Sequence, residues 1–130
     1  MNTLNGAMRI SASGLSAERF RMDVISSNIA NANATAPNGA DPYRRREVVL
    51  QGDTDGVEVT AIIQDQAPFR MEHDPSHPNA DANGNVRYSN VEPITEMVNM
   101  LGASRAYEAN IAAFNSAKGM VKSALTIGKV

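Results

Sequence analysis

The sequence predicts an α+β fold in which long N- and C-terminal helices form an antiparallel coiled-coil domain with a small β-rich insert between them. Three observations predict it. Apolar residues recur every seven positions near both ends, proline is absent before Pro37 and after Pro93, and the β-branched residues concentrate in the middle.

In the first helix Met1, Met8, Leu15, Met22 and Ile29 form one continuous heptad line. Beside it runs a second line, Leu4, Ser11, Glu18, Ile25 and Ala32, broken by polar residues. With only Gly6 and Gly14 to weaken it, a helix of roughly 30 residues, about 45 Å long, is expected. A helix that long must pack on something, and the C-terminal segment offers a mate. There Met100, Tyr107, Phe114 and Val121 repeat at seven, beside Met97, Ser104, Ile111, Lys118 and Leu125. An antiparallel pair would set Leu15, Met22 and Ile29 against Tyr107, Phe114 and Val121, with the order reversed on one helix.

Between the helices, Glu47–Leu50 and Val57–Ile63 are separated by Gln-Gly-Asp-Thr-Asp-Gly, which reads as a hairpin. Further strands are expected at 68–72 and 86–88, around a turn-rich segment holding Pro75, Pro78 and Asn83-Gly84. Asn31–Pro42 has the Ala, Asn, Gly and Pro composition of a flexible connector. The expected division is therefore 1–35 with 92–130 as the helical axial domain, and 36–91 as the insert.

Composition narrows the function classes. At 130 residues the chain suits one ordinary domain. Aromatics are 5% and tryptophan is absent, so close helix packing is expected in place of a large aromatic core. A net charge of −2 gives no basic field for a phosphate backbone, so no nucleic-acid partner is expected. With no cysteine, thiolate metal sites and disulfides are excluded. The N-terminal stretch has no basic region followed by a compact apolar run, and no segment approaches a membrane span, so neither a cleaved leader nor a transmembrane helix is expected.

Three local patterns invite chemical readings. Asp81, Asn83, Asn85 and Glu92 match positions one, three, five and twelve of a calcium loop, but Val86 stands where that loop turns on glycine. His73 and His77 would converge on a metal only on a helix, which Pro75 and Pro78 oppose. Arg44-Arg-Arg46 reads as a solvated or interface strand, with Arg45 directed opposite to its neighbours. No cofactor or catalytic group is expected; the competing reading is a soluble metal- or ligand-binding module built on residues 73–92.

The stretch Asn28-Ile-Ala-Asn31-Ala-Asn33 resembles the asparagine signature of the flagellar axial family of rod, hook and hook-associated proteins. Pro42-Tyr43-Arg44, Asp74-Pro-Ser-His-Pro-Asn-Ala-Asp-Ala-Asn-Gly84, Glu96-Met-Val-Asn-Met and Ala103-Ser-Arg-Ala-Tyr-Glu-Ala-Asn110 are similar to its proximal rod members. The segment after Asn31 lacks the Thr-Pro-Gly-Tyr continuation of longer relatives, which agrees with that type. Pro93 stands where an aliphatic-rich stretch is expected. The resemblance implies a structural, non-enzymatic subunit of the bacterial flagellar basal body, exported without a cleaved signal peptide into the periplasmic rod. It also implies an open helical assembly with proximal and distal rod proteins, the rod–MS-ring adaptor protein and the MS ring, after contact with the flagellar export apparatus.

In that setting the assembly positions on the first helix are Leu15, Met22, Ile25, Asn28, Ile29, Asn31 and Asn33. On the second they are Met97, Met100, Leu101, Tyr107, Asn110, Ile111, Phe114 and Val121. Asn31 or Asn33 suits a helix C-terminus, because asparagine tolerates left-handed backbone angles. Asn28 borders the apolar face, where an adjacent subunit can bond its amide and fix register.

Overall fold

A computed structural model describes residues 2–37 and 39–128. Met1 of the first heptad line, Asn38 of the connector and the last two residues of the expected axial domain lie outside the described residues. Helix α1 spans Asn2–Ala30 and α2 spans Pro93–Ile127, flanking strands β1 (Arg46–Asp53), β2 (Gly56–Gln64), β3 (Arg70–His73) and β4 (Asn85–Tyr88).

The ends of the helices follow from local chemistry. α1 stops in a series of tight turns: the Asn31 N–H donates to the carbonyls of Ser27 and Asn28, and Ala34 N–H to Asn31. The Asn31 side chain also donates to the Ser27 carbonyl at 2.8 Å, satisfying an orphan acceptor of the last turn. Among the described residues no non-glycine backbone is left-handed, so the expected αL role for Asn31 or Asn33 is replaced by this side-chain cap. At the start of α2, Pro93 occupies the first turn, where its missing N–H costs nothing, and Thr95 Oγ1 donates to the Glu92 carboxylate at 3.2 Å.

The helices are antiparallel, and two contacts fix their alignment. Asn28 meets Glu96, and Gly14 lies under the side chain of Asn110. The step from Gly14 to Asn28 equals the step back from Asn110 to Glu96. This register differs from the expected one, because Glu96 now occupies the level of α1 at which Tyr107 was placed beside Ile29.

The residues of closest approach also differ from expectation. Ser11, Ala17, Ile25 and Asn28 are buried on α1, Ala32 in the turn after it, and Glu96, Ala103 and Ala117 on α2. Leu15, Met22, Ile29, Tyr107, Phe114 and Val121 are only half-buried. The polar-interrupted line thus lies closer to the partner than the continuous one, because small side chains let the backbones approach while large ones must flank the contact. Gly14 shows how tight the approach is: an added Cβ would sit 2.7–2.8 Å from the amide of Asn110.

The insert is two separate two-stranded antiparallel sheets, β1–β2 and β3–β4. In the first, Val49 pairs with Ala61 but Leu50 with Val59, so Thr60 is an extra residue and its hydroxyl turns back onto the Val49 carbonyl at 3.3 Å. The hairpin turn is held by Asp53, whose carboxylate accepts from the N–H groups of Asp55 and Gly56 at 2.7 and 3.1 Å. Gly56 has φ +136° and lies against Ser13 of α1, so both conformation and space demand glycine there.

The hairpin folds back along α1. Arg46 lies at Asn28, and the Val57 N–H donates to Ser13 Oγ at 3.0 Å. Among the described residues α2 packs on α1 and on neither hairpin strand, so α1 is the central element. An insert carried at one end of the helices would leave both faces of the hairpin in water; laying it on α1 covers part of one, around Val48, Leu50 and Val57, while Ile62 and Ile63 stay exposed.

The connector is stitched down along its described length. Thr35 bridges Tyr88, the Ser89 N–H donates to the Ala34 carbonyl, and Asn79 Nδ2 donates to Thr35 Oγ1 at 2.8 Å. Farther along, Arg87 reaches Asp41 at 3.2 Å. Its composition reads as flexible, but its polar groups are satisfied by β4 and the 74–84 loop.

Candidate functional site

Two features stand out, on opposite faces of the first turns of α2. Inward lies a buried polar node. The Asn28 side chain is fully buried, and its amide is fully used. Nδ2 donates to the Arg46 carbonyl at 2.8 Å and to Glu96 Oε2 at 3.0 Å. Oδ1 accepts from Tyr43 Oη at 2.8 Å and from the Arg46 N–H at 3.0 Å. An asparagine side chain offers two donor hydrogens and two acceptor lone pairs, so Asn28 has none left for another chain. The expected bond to an adjacent subunit is thereby corrected: Asn28 joins the end of α1 to the start of β1 and of α2.

Glu96 is equally buried, and its second oxygen accepts from Arg45 Nε. Arg45 also faces Glu47 and Asp65, each at 3.5 Å. Burial pulls the Arg45 guanidinium down, but the hydrogen bond and charge of Glu96, with Glu47 and Asp65, outweigh it and hold the group above its ordinary value. Burial pushes the Tyr43 phenol up, Arg46 pulls it back, and Glu96 adds to the rise. Among the described residues, no buried side-chain nitrogen or oxygen lacks a partner. A buried carboxylate is tolerated here because both its oxygens are paired and one partner is a cation.

Outward lies an apolar stripe. Ile94, Met97, Val98 and Leu101 are 79, 53, 62 and 65% exposed, at the i, i+3, i+4, i+7 spacing that puts them on one helix face. Farther along α2, Ile111, Met120, Leu125 and Ile127 are also exposed. Contiguous large side chains this open are uncommon on a chain that stands alone.

The remaining assembly positions fall between these extremes. Ile25 is buried between the helices, Met100 is half-buried, and Asn110 packs on Gly14 while donating to the Ala106 carbonyl at 2.9 Å. Exposed Asn33 accepts from Arg70 at 3.2 Å. Sequence reasoning missed Tyr43, Arg45 and Glu96 as one unit. The available signal was a heptad line on α2, Glu96, Ala103, Asn110 and Ala117, hidden because its members are small or polar.

The chemical patterns are accounted for locally. Asp81 Oδ1 accepts from the N–H groups of Asn83 and Asn85, holding the turn before β4, while the Glu92 carboxylate accepts from Thr95 Oγ1 at the start of α2. His77 Nδ1 accepts from the Asn79 N–H at 3.0 Å, and its ring meets Tyr88 edge-on. Among the described residues no three His, Asp or Glu side chains gather closely enough to hold a metal. Of the three arginines, Arg44 lies over Phe69 at 4.2 Å and Arg46 over Tyr43 at 5.4 Å, while Arg45 turns inward to Glu96.

Comparison with known proteins places this geometry. Residues 8–36 match the flagella basal body rod protein family, and residues 82–127 match the flagellar basal body rod FlgEFG protein C-terminal family. Flagellar basal-body rod protein FlgC of Salmonella typhimurium is 44% identical, over 92% of this chain and 94% of the relative. FlgC of Bacillus subtilis is 39% identical, over 95% and 97%. The chain belongs to the FlgC family of flagellar basal-body rod proteins. FlgC of Borreliella burgdorferi, at 37% identity, covers as much of both chains. The two family matches fall on the two helices and the strand β4 that precedes α2, with both partners of the Asn28–Glu96 bond inside them. As a FlgC-family member the chain is a structural rod subunit and not an enzyme.

Proposed function

We propose that this subunit builds the proximal segment of the rod, stacking helically with other rod proteins into the drive shaft that transmits torque and surrounds the export channel. The proposed partners are proximal and distal rod proteins, the rod–MS-ring adaptor and the MS ring. The proposed site is the periplasmic part of the basal body, reached through the flagellar export apparatus without cleavage of a leader. Residues 1–35 and 92–130 act as the axial domain, and 36–91 as an insert that braces it.

The observation that carries this reading is the stripe Ile94, Met97, Val98 and Leu101. These side chains face away from α1, and only a further chain can take them out of water. A contact between unlike faces of successive subunits need not close on itself, and so can propagate into a shaft. Replacing both Val98 and Leu101 by Asp places charge where water already reaches, so the subunit should fold, with stability within about 0.5 kcal/mol of the parent. Cells carrying only this variant should secrete it, lack complete rods in purified basal bodies, and fail to swim. Normal rods and motility would refute the stripe as an assembly face.

A further inference from the structure

We infer that Asn28 and Glu96 form a register key inside the subunit, selecting one alignment of α1 with α2 and carrying the hairpin into place with it. The inference rests on contacts within one chain and is independent of how rods assemble.

Apolar packing alone discriminates poorly between alignments here. The closest residues are nearly interchangeable: Ser11, Gly14 and Ala17 on α1, Ala103 and Ala117 on α2. Sliding α2 by one heptad, about 10 Å, replaces one small residue by another and changes little buried area. The polar contacts behave differently. A slip one way sets Asn28 against Ala103; a slip the other way sets it beyond Pro93, near Ser89.

Either slip also separates Glu96 from the Asn28 amide and strains the strand start, which is held from both sides. The N–H and carbonyl of Arg46 are both bonded to Asn28, while the Arg45 N–H donates to Asn90 Oδ1 at 2.7 Å, so the start of the hairpin is tied both to α1 and to the segment leading into α2. Glu96 would lose the Asn28 amide, and Asn90 would be drawn away from the Arg45 N–H, so two polar contacts break together. The fit of Asn110 over Gly14 reads the same alignment at a second point. What the key positions is the exposed stripe, which starts two residues before Glu96; a slip would shift it about 10 Å along α1 and the hairpin.

The chain has no cysteine, which allows a direct test by disulfide trapping in the purified full-length protein. Ala17→Cys is combined with Ala106→Cys for the native alignment, or with Ala113→Cys or Asn99→Cys for a slip of one heptad either way. In the parent the native pair should form at least about tenfold faster than either slipped pair, a modest demand given the usual cost of losing a buried hydrogen bond to a charged group. The decisive background is Asn28→Leu with Glu96→Leu, which removes both polar partners and leaves an apolar contact. Helix content by circular dichroism should persist, while the native preference falls to within about twofold and amide exchange in 46–64 accelerates. Ile25→Val, which deletes one buried methyl group and no polar contact, should keep the parent preference. An unchanged native preference in the double variant would overturn the inference. Loss of helix in it would do so equally, by showing that the pair supplies stability and not alignment.

Discussion

Within one turn of α2, a glutamate is completely buried and an isoleucine two residues earlier is 79% exposed. Hydropathy would order them the other way. The inner face is chosen by hydrogen bonding: Glu96 goes in because Asn28 and Arg45 together satisfy both its oxygens. The outer face is apolar although the single chain leaves Ile94, Val98 and Leu101 in water, and in the proposed assembly a neighbouring subunit covers them. In a subunit of an assembly, polarity by itself does not distinguish inside from outside; the presence of partners does.

The contrast can be broken most strongly from the inside. Glu96→Ala leaves Arg45 with only Glu47 and Asp65 and takes a partner from the buried Asn28 amide, and should cost about 2 kcal/mol, read as a lower midpoint in urea. Ile94→Ala, two residues away, should leave that midpoint within about 0.5 kcal/mol of the parent. Equal effects at the two positions would erase the distinction between the faces.

A smaller effect is expected at the middle of the seam. Gly14→Ala should improve helix propensity by about 1 kcal/mol in isolation. In the folded pair its methyl group meets the Asn110 amide, so a net loss of about 1 kcal/mol is expected. Combining it with Asn110→Ala removes the collision, and the double variant should be at least as stable as Gly14→Ala alone. A double-mutant cycle in urea showing simple additivity would mean that the two residues do not touch.

The smallest effect concerns pH. The Tyr43 phenol is raised above its ordinary value of 10.0, so the folded chain keeps that proton more tightly than the unfolded one. The contribution is fully present below pH 10 and is lost as pH rises through the higher folded value. Tyr43→Phe should therefore narrow its stability gap to the parent above pH 10 and keep it constant between pH 7 and 9. A gap that widens in alkali would reverse the sign.

Much of the architecture was legible because it depends on local rules. Proline placement delimited both helices, Pro93 standing at the first turn of α2, and alternating β-branched residues with the Asp53–Gly56 turn marked the hairpin. The resemblance at Asn28–Asn33 and Glu96–Met100 led to the rod family, as the comparisons show. Periodicity misled at the seam. Heptad reading favours the largest apolar residues, whereas two closely packed helices put serine, glycine and alanine at the point of nearest approach and Leu15, Met22 and Phe114 beside it.

Sequence alone, then, determined which segments are helix and strand, the absence of thiol chemistry and the family, since these rest on residue identity and short spacings. Only the tertiary structure decided the alignment of α1 with α2, the laying of the hairpin along α1 and the partners of Asn28. Those depend on residues far apart in the chain: Asn28 with Glu96, Ser13 with Val57, and Thr35 with Tyr88. The physical reason is that an asparagine's hydrogen-bonding capacity is visible in the sequence, but which groups fill it is set when three separate segments arrive at the same point.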